Sequence, residues 1–194
     1  KTIILPVLLI LFFISLYFLV DSSSQSLVAH DEGLYARRSR LIEQSDNWFS
    51  PPFSSPHHKT LGSYLFSALS IRLFGNSELA LRLPSIISSF LCLISSYLIA
   101  IKITNKKSAL ISLFSLSSMP LWIQYSRYAS PDLIFVLCIL LVILFFLESI
   151  DSSESIRNYF YIFLSGLFVS ISFFIRSYMA FVPLIGLSPF VFYH

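Results

Sequence analysis

Apolar residues in this chain come in runs long enough to cross a bilayer, with short polar intervals between them. The runs fall near residues 2–20, 83–103, 108–124, 132–149, 159–175 and 178–193. A helix needs about 20 residues to span the hydrocarbon core, with a lower limit near 17. The run at 2–20 lacks an Ala-x-Ala-like cleavage site and is followed by further spans, so it reads as a retained first helix rather than a signal peptide. A further apolar stretch, Leu61 to Phe74, is too short to cross and carries Gly62, several serines and Arg72. It predicts a helix lying in the membrane interface. The expected fold class is therefore all-α, a polytopic transmembrane helical protein.

Charge placement orients these elements. The turn Lys102-Ile103-Thr104-Asn105-Lys106-Lys107 is the most basic short loop between spans, and the positive-inside rule assigns it to the cytoplasm. With 61–74 interfacial, Lys1 is also cytoplasmic and the loop 21–78 is extracytoplasmic. The turns around Arg127–Asp132 and Arg176–Tyr178 then lie outside as well, and Glu148–Asn158 inside. The chain opens at Lys1 and stops at His194, at the end of an apolar stretch. It is read as the N-terminal part of one longer transmembrane domain covering residues 1–194.

Composition narrows the function classes. Hydrophobic residues make up 56% of the chain and charged residues 12%, against roughly half and a quarter in soluble domains. The net charge of +3 comes from scattered basic residues, which gives nucleic-acid binding little support. Cys92 and Cys138 each lie within an apolar run and read as small apolar fillers.

Groups able to do chemistry collect on the outer side. His30-Asp31-Glu32 follows the first span, and Asp31 to Glu43 places Leu34, Tyr35, Leu41 and Ile42 at helical spacing with Arg37, Arg38 and Arg40 between them. That pattern predicts an amphipathic helix on the membrane surface. Then come Trp48, a proline-rich turn and His57-His58-Lys59; Arg127 and Asp132 flank one further outer junction, and Arg176 marks another. Taken singly, each has an ordinary reading: cations at span ends snorkel to headgroups, and a histidine pair is usually just surface. Charge near the apolar zone is costly, however, and separate junctions offering acids and bases on one face are what an active site built from loops requires. A transporter or lipid flippase would instead place charges at mid-membrane on broken helices, and a non-catalytic scaffold has no need of such convergence.

The ordered set Asp31-Glu32-Gly33-Leu34-Tyr35-Ala36, Asp46-Asn47-Trp48, Lys59 before a helix containing Tyr64, Leu73-Phe74-Gly75, Arg82-Leu83-Pro84-Ser85, Arg127-Tyr128-Ala129-Ser130-Pro131-Asp132 and Arg176 resembles the GT-C membrane glycosyltransferases of the protein O-mannosyltransferase and lipid A aminoarabinose transferase type. The resemblance runs over nearly the whole chain. It implies an enzyme that moves a sugar from a polyprenyl-phosphate carrier to an extracytoplasmic protein, lipid or glycan acceptor, by inverting displacement, in a plasma membrane. In the aminoarabinose branch the first motif has Arg where Leu34 stands, and Arg37 or Arg38 lies about one turn on. That branch has Glu-Lys-Pro-Pro where this chain has His58-Lys59-Thr60-Leu61, and Lys where Arg176 stands.

A carrier-linked sugar already has a good leaving group, so the expected requirements are a carboxylate to activate the acceptor and fixed cations for the departing phosphate. Asp31 is the expected base, with Glu32 in support. Lys59 is the expected first phosphate ligand, with Arg127, Arg176 and Arg37 behind it. Tyr35 and Tyr64 are expected nearby. Glu32, His58 and Asp132 are the candidates to orient groups or hold a divalent metal ion, although nothing in the residues demands a cofactor.

Overall fold

The computed structural model describes residues 27, 31–50, 59–152, 154–182, 185–186 and 188. The expected span at 2–20 and half of that at 178–193 lie outside these residues, as do His30 and His58. The described chain is helical: α1 (Asp31–Glu43), α2 (Gly62–Phe74), α3 (Glu78–Ile103), α4 (Lys106–Ser118), α5 (Pro120–Ser126), α6 (Asp132–Asp151) and α7 (Ser155–Arg176), which runs on into a 3-10 turn, Ser177–Phe181. No strand occurs among the described residues. Three stretches, Glu78–Ile103, Asp132–Asp151 and Ser155–Phe181, are long and apolar enough to cross a membrane, and the protein is an integral membrane protein.

Local chemistry sets the helix ends. The Ser77 side chain accepts from the Ala80 amide at 3.1 Å and so caps α3; Asn105 does the same for α4 through the Ser108 amide at 3.0 Å. Gly75, at φ 86°, stops α2 in a conformation that other residues adopt at a cost. The apolar run at 108–124 is divided between two helices, because Met119 is extended and Pro120 occupies the first turn of α5, where its missing N–H matters least.

Long helices pack around α3 and α6, with α7 against α6, α4 against α3, and the short pair α1–α2 against one end. Leu93, Tyr97, Ala109 and Leu113 form the α3–α4 core, and Ile134, Cys138 and Ile175 join α6 to α7. Much of the other face of α7, including Ile156, Phe160, Phe163 and Leu167, is exposed and apolar, as a bilayer-facing helix requires. Between helices, hydroxyls reach backbone carbonyls, which lets helices approach closely without leaving polar groups bare. Pro84 has no N–H to offer the Ala80 carbonyl one turn back, and the Ser70 hydroxyl of α2 supplies that carbonyl with a donor instead. Ser85 similarly donates to Ser130 O at 2.8 Å. The short α2 is thus bonded to the first turns of α3.

Candidate functional site

Helix α1 forms where its acidic first turn, Asp31 and Glu32, favours the positive helix N-terminus. Its buried face is Glu32, Tyr35, Ala36, Ser39 and Ile42, so the expected amphipathic helix is present, but its inner face includes a carboxylate and a hydroxyl. Leu34 and Leu41 are only half-buried. Tyr35, Ile42, Tyr64 and Ala68 make a small core between α1 and α2, the Tyr35 and Tyr64 rings lying 5.6 Å apart. Arg38 donates to the Tyr64 hydroxyl, and Ser39 to the Tyr64 carbonyl at 3.1 Å. Burial pushes the Tyr64 phenol above its ordinary range, against the pull of Arg38.

Adjacent positions on α1 send Asp31 and Glu32 to different destinations, as a step of about 100° per residue demands. Asp31 is 79% exposed and accepts from Lys59 Nζ at 3.1 Å. Lys59 also donates to the Tyr35 hydroxyl at 3.0 Å and stands 4.3 Å from that ring's centre. Burial works against the ammonium, but the hydrogen bonds to Tyr35 and Asp31 outweigh it and hold the Lys59 pKa above its ordinary value. Glu32 turns inward. Its carboxylate is 2% exposed, receives Arg82 Nε at 2.9 Å and Nη2 at 3.2 Å, and takes the Ala129 amide at 3.0 Å.

Arg176 closes the far side. It ends α7, pairs with Asp132 at the start of α6, and precedes Ser177, whose φ of 52° and ψ of −125° are strained for a residue with a side chain. Two hydroxyls fix the approach of α7 to the Lys59 segment: Thr60 donates to Ile175 O and Ser63 to the same oxygen at 2.9 Å. Gly62 makes this possible, since a Cβ there would sit 2.5 Å from the Phe174 carbonyl. The result is a cleft of about 200 Å³ lined by Tyr35, Lys59, Thr60, Ser63, Ile175, Arg176, Ser177 and Met179.

Of the residues expected at the site, Tyr35, Lys59 and Arg176 line this cleft, and Asp31 and Asp132 grip its two cations from beside it. Tyr64 supports it from the α1–α2 core. Arg37 is exposed and does not line the cleft, nor does Arg127, half-buried in the loop after α5, whose Nε has no hydrogen-bond partner among the described residues. Among the described residues no three His, Cys, Asp or Glu side chains gather as metal ligands. Of the candidate metal set, Glu32 is held by Arg82 and Asp132 pairs with Arg176, and His58 lies outside the described residues, so no metal-binding set is assembled among the side chains seen. Arg82, Thr60, Ser63 and Ser177 are additions that the sequence reading assigned no role. Arg82 was the most legible of these: an arginine opening an apolar helix needs a partner.

The sequence profile of the dolichyl-phosphate-mannose-protein mannosyltransferase family matches residues 58–194. The undecaprenyl phosphate-alpha-4-amino-4-deoxy-L-arabinose arabinosyl transferase of Shewanella sediminis is 26% identical over 190 residues, covering 96% of this chain and 35% of that protein. The like-named transferase 1 of Pseudomonas fluorescens is 30% identical over 132 residues, covering 66% of this chain and 24% of its own length. Crystal structures of ArnT from Cupriavidus metallidurans, in the apo state and bound to undecaprenyl phosphate, superpose with a TM-score of 0.81 at 20% identity, over 96% of this chain and 35% of theirs. The chain therefore spans about a third of the length of such relatives.

Proposed function

The chain belongs to the dolichyl-phosphate-mannose-protein mannosyltransferase family, and from that membership we propose that it carries the donor-phosphate and base side of a membrane glycosyltransferase using a polyprenyl-phosphate-linked sugar. The observation that supports this reading is the convergence of Lys59 and Arg176, brought from separate segments, on one cleft, with a carboxylate beside each. The relatives named as undecaprenyl phosphate-aminoarabinose transferases, and a similar fold crystallised with undecaprenyl phosphate, point the same way.

In this reading the acceptor is a hydroxyl of a protein, lipid or glycan. Its oxygen attacks the anomeric carbon of the sugar, and the bond from that carbon to the phosphate oxygen breaks. The electron pair stays on the phosphate, and the hydroxyl proton passes to the Asp31 carboxylate. A phosphodiester with one charge becomes a monoester with about 1.5 to 2, so Lys59 and Arg176 hold the product side of the step more strongly than the start. A displacement from the face opposite the leaving phosphate inverts the sugar. The reaction takes place on the extracytoplasmic side of the plasma membrane, the orientation favoured by the basic turn at Lys102–Lys107.

Donor turnover by the full-length protein tests the proposal. Lys59→Ala is expected to weaken use of the donor, and Lys59→Arg to be milder but not neutral, since the two cations differ in donor geometry. Unchanged kinetics in Lys59→Ala would take Lys59 out of the site.

A further inference from the structure

Both cations of the cleft already hold a carboxylate, and this bears on how a phosphate gets in. We propose that Asp132 and Asp31 are resident counter-ions of the site, displaced from Arg176 and Lys59 when the carrier phosphate enters. The inference rests on the functional reading above and deepens it.

Hydrogen-bonding capacity is the first argument. The Lys59 ammonium has three donors, and Asp31 and Tyr35 take two of them. A phosphate that is to receive more than one bond from Lys59 must evict a partner. Asp31, 79% exposed, is the one free to swing into solvent, whereas Tyr35 is buried at 5% exposure. At Arg176 the competition is one of charge rather than of donor count: Nη2 holds Asp132, Nε has no hydrogen-bond partner among the described residues, and an arriving phosphate meets an anion already in place.

Magnitude is the second. The Lys59 and Arg176 side chains are 34% and 29% exposed, and Asp132 is 35% exposed. Ion pairs this wet contribute little, so eviction is cheap. The entering phosphodiester brings one charge on two free oxygens and can engage both cations at once, and the monoester left after transfer brings about 1.5 to 2 charges and three acceptor oxygens. Neither carboxylate does so. Eviction also frees Asp31 to receive a proton only when a phosphate is present, and the returning carboxylates oppose retention of the spent carrier.

A purely orienting role predicts the reverse sign. If Asp132 merely aims Arg176 and stays, removing its charge loosens the cation and weakens phosphate binding. Binding of undecaprenyl phosphate to the full-length protein in nanodiscs decides between them, comparing wild type with Asp132→Asn and Asp31→Asn, both close to isosteric. Exchange predicts that each variant binds about 2- to 5-fold more tightly than wild type, while Arg176→Ala binds more weakly. Unchanged or weaker binding in both Asn variants, with wild type binding normally, overturns the exchange and leaves the functional reading standing. Absence of binding by wild type overturns the functional reading itself.

Discussion

Arg82 grips both carboxylate oxygens of Glu32 across 50 positions of sequence, and the Ala129 amide adds a third bond to the same group. Three segments meet there: α1, the first turns of α3, and the loop leading to Asp132. Both charges are nearly dry, so each relies heavily on the bonds it makes there.

Removing one partner should therefore be worse than losing a surface pair. Arg82→Ala takes the paired cation from a buried carboxylate, a change expected to cost about 3–5 kcal/mol. Thermal unfolding in detergent should show a large fall in midpoint. A shift no greater than that of an exposed control such as Arg37→Ala would show that the pair contributes little.

Asp31→Asn should separate chemistry from folding. Asn suits the start of a helix about as well as Asp but cannot take a proton as a carboxylate base. Normal insertion with sugar transfer reduced about 100- to 10,000-fold is expected. Retained activity would return Asp31 to a structural role.

Gly62→Ala should disturb the cleft from outside it. The added methyl meets the Phe174 backbone at 2.5 Å and must push α2 from α7, at a cost of about 1–3 kcal/mol. Because Lys59 and Arg176 stand on the two parts being separated, the donor KM should rise more than stability alone explains. A variant with unchanged KM would contradict this coupling.

Affinity for undecaprenyl phosphate should follow pH in a defined way. The raised Lys59 pKa means that its charged form, and the stabilisation it brings, is fully present below the ordinary lysine value of 10.5 and is lost only as pH rises through the higher folded value. The phosphate gains its second charge near pH 6. Binding should strengthen between about pH 5 and 7 and then stay level to pH 10. Titration of binding across this range is the measurement; a decline between pH 7 and 9 would mean that another group governs the site.

Cysteine labelling checks orientation. Positions 106 and 107 should label only from the cytoplasmic side and position 59 only from outside. Strong external labelling at 106 would reverse the assignment.

Much of this architecture was legible in the hydrophobic pattern, because a run of apolar residues about 20 long has few alternatives to a membrane helix. The helices over 31–43 and 62–74 were legible too, the first from its spacing and acidic start, the second from its length. The division of 108–124 was harder to see. Hydropathy passes smoothly through Met119-Pro120, and only the restriction that proline places on the residue before it marks the break. At the site, Asp31, Lys59 and Arg176 were found as charges that apolar surroundings make expensive. Side-chain direction was not legible. Asp31 and Glu32 look alike as letters, and only the packed helix sends one to a solvated lysine and the other to a buried arginine. Arg37 and Arg127 satisfied the same charge argument as Arg176, yet neither lines the cleft. Thr60 and Ser63 gave no signal, because their role is set by a carbonyl more than a hundred residues away.

That last separation says something about how the protein is born. The bonds from Thr60 and Ser63 to Ile175 span 115 and 112 residues. At a synthesis rate of about 5–20 residues per second, Lys59 emerges some 6–23 seconds before its partner segment exists. Until α7 is made and docks, Lys59 and Arg176 belong to unconnected pieces of chain. The cleft therefore does not exist until α7 has been made, and it comes into being in one step when that helix docks.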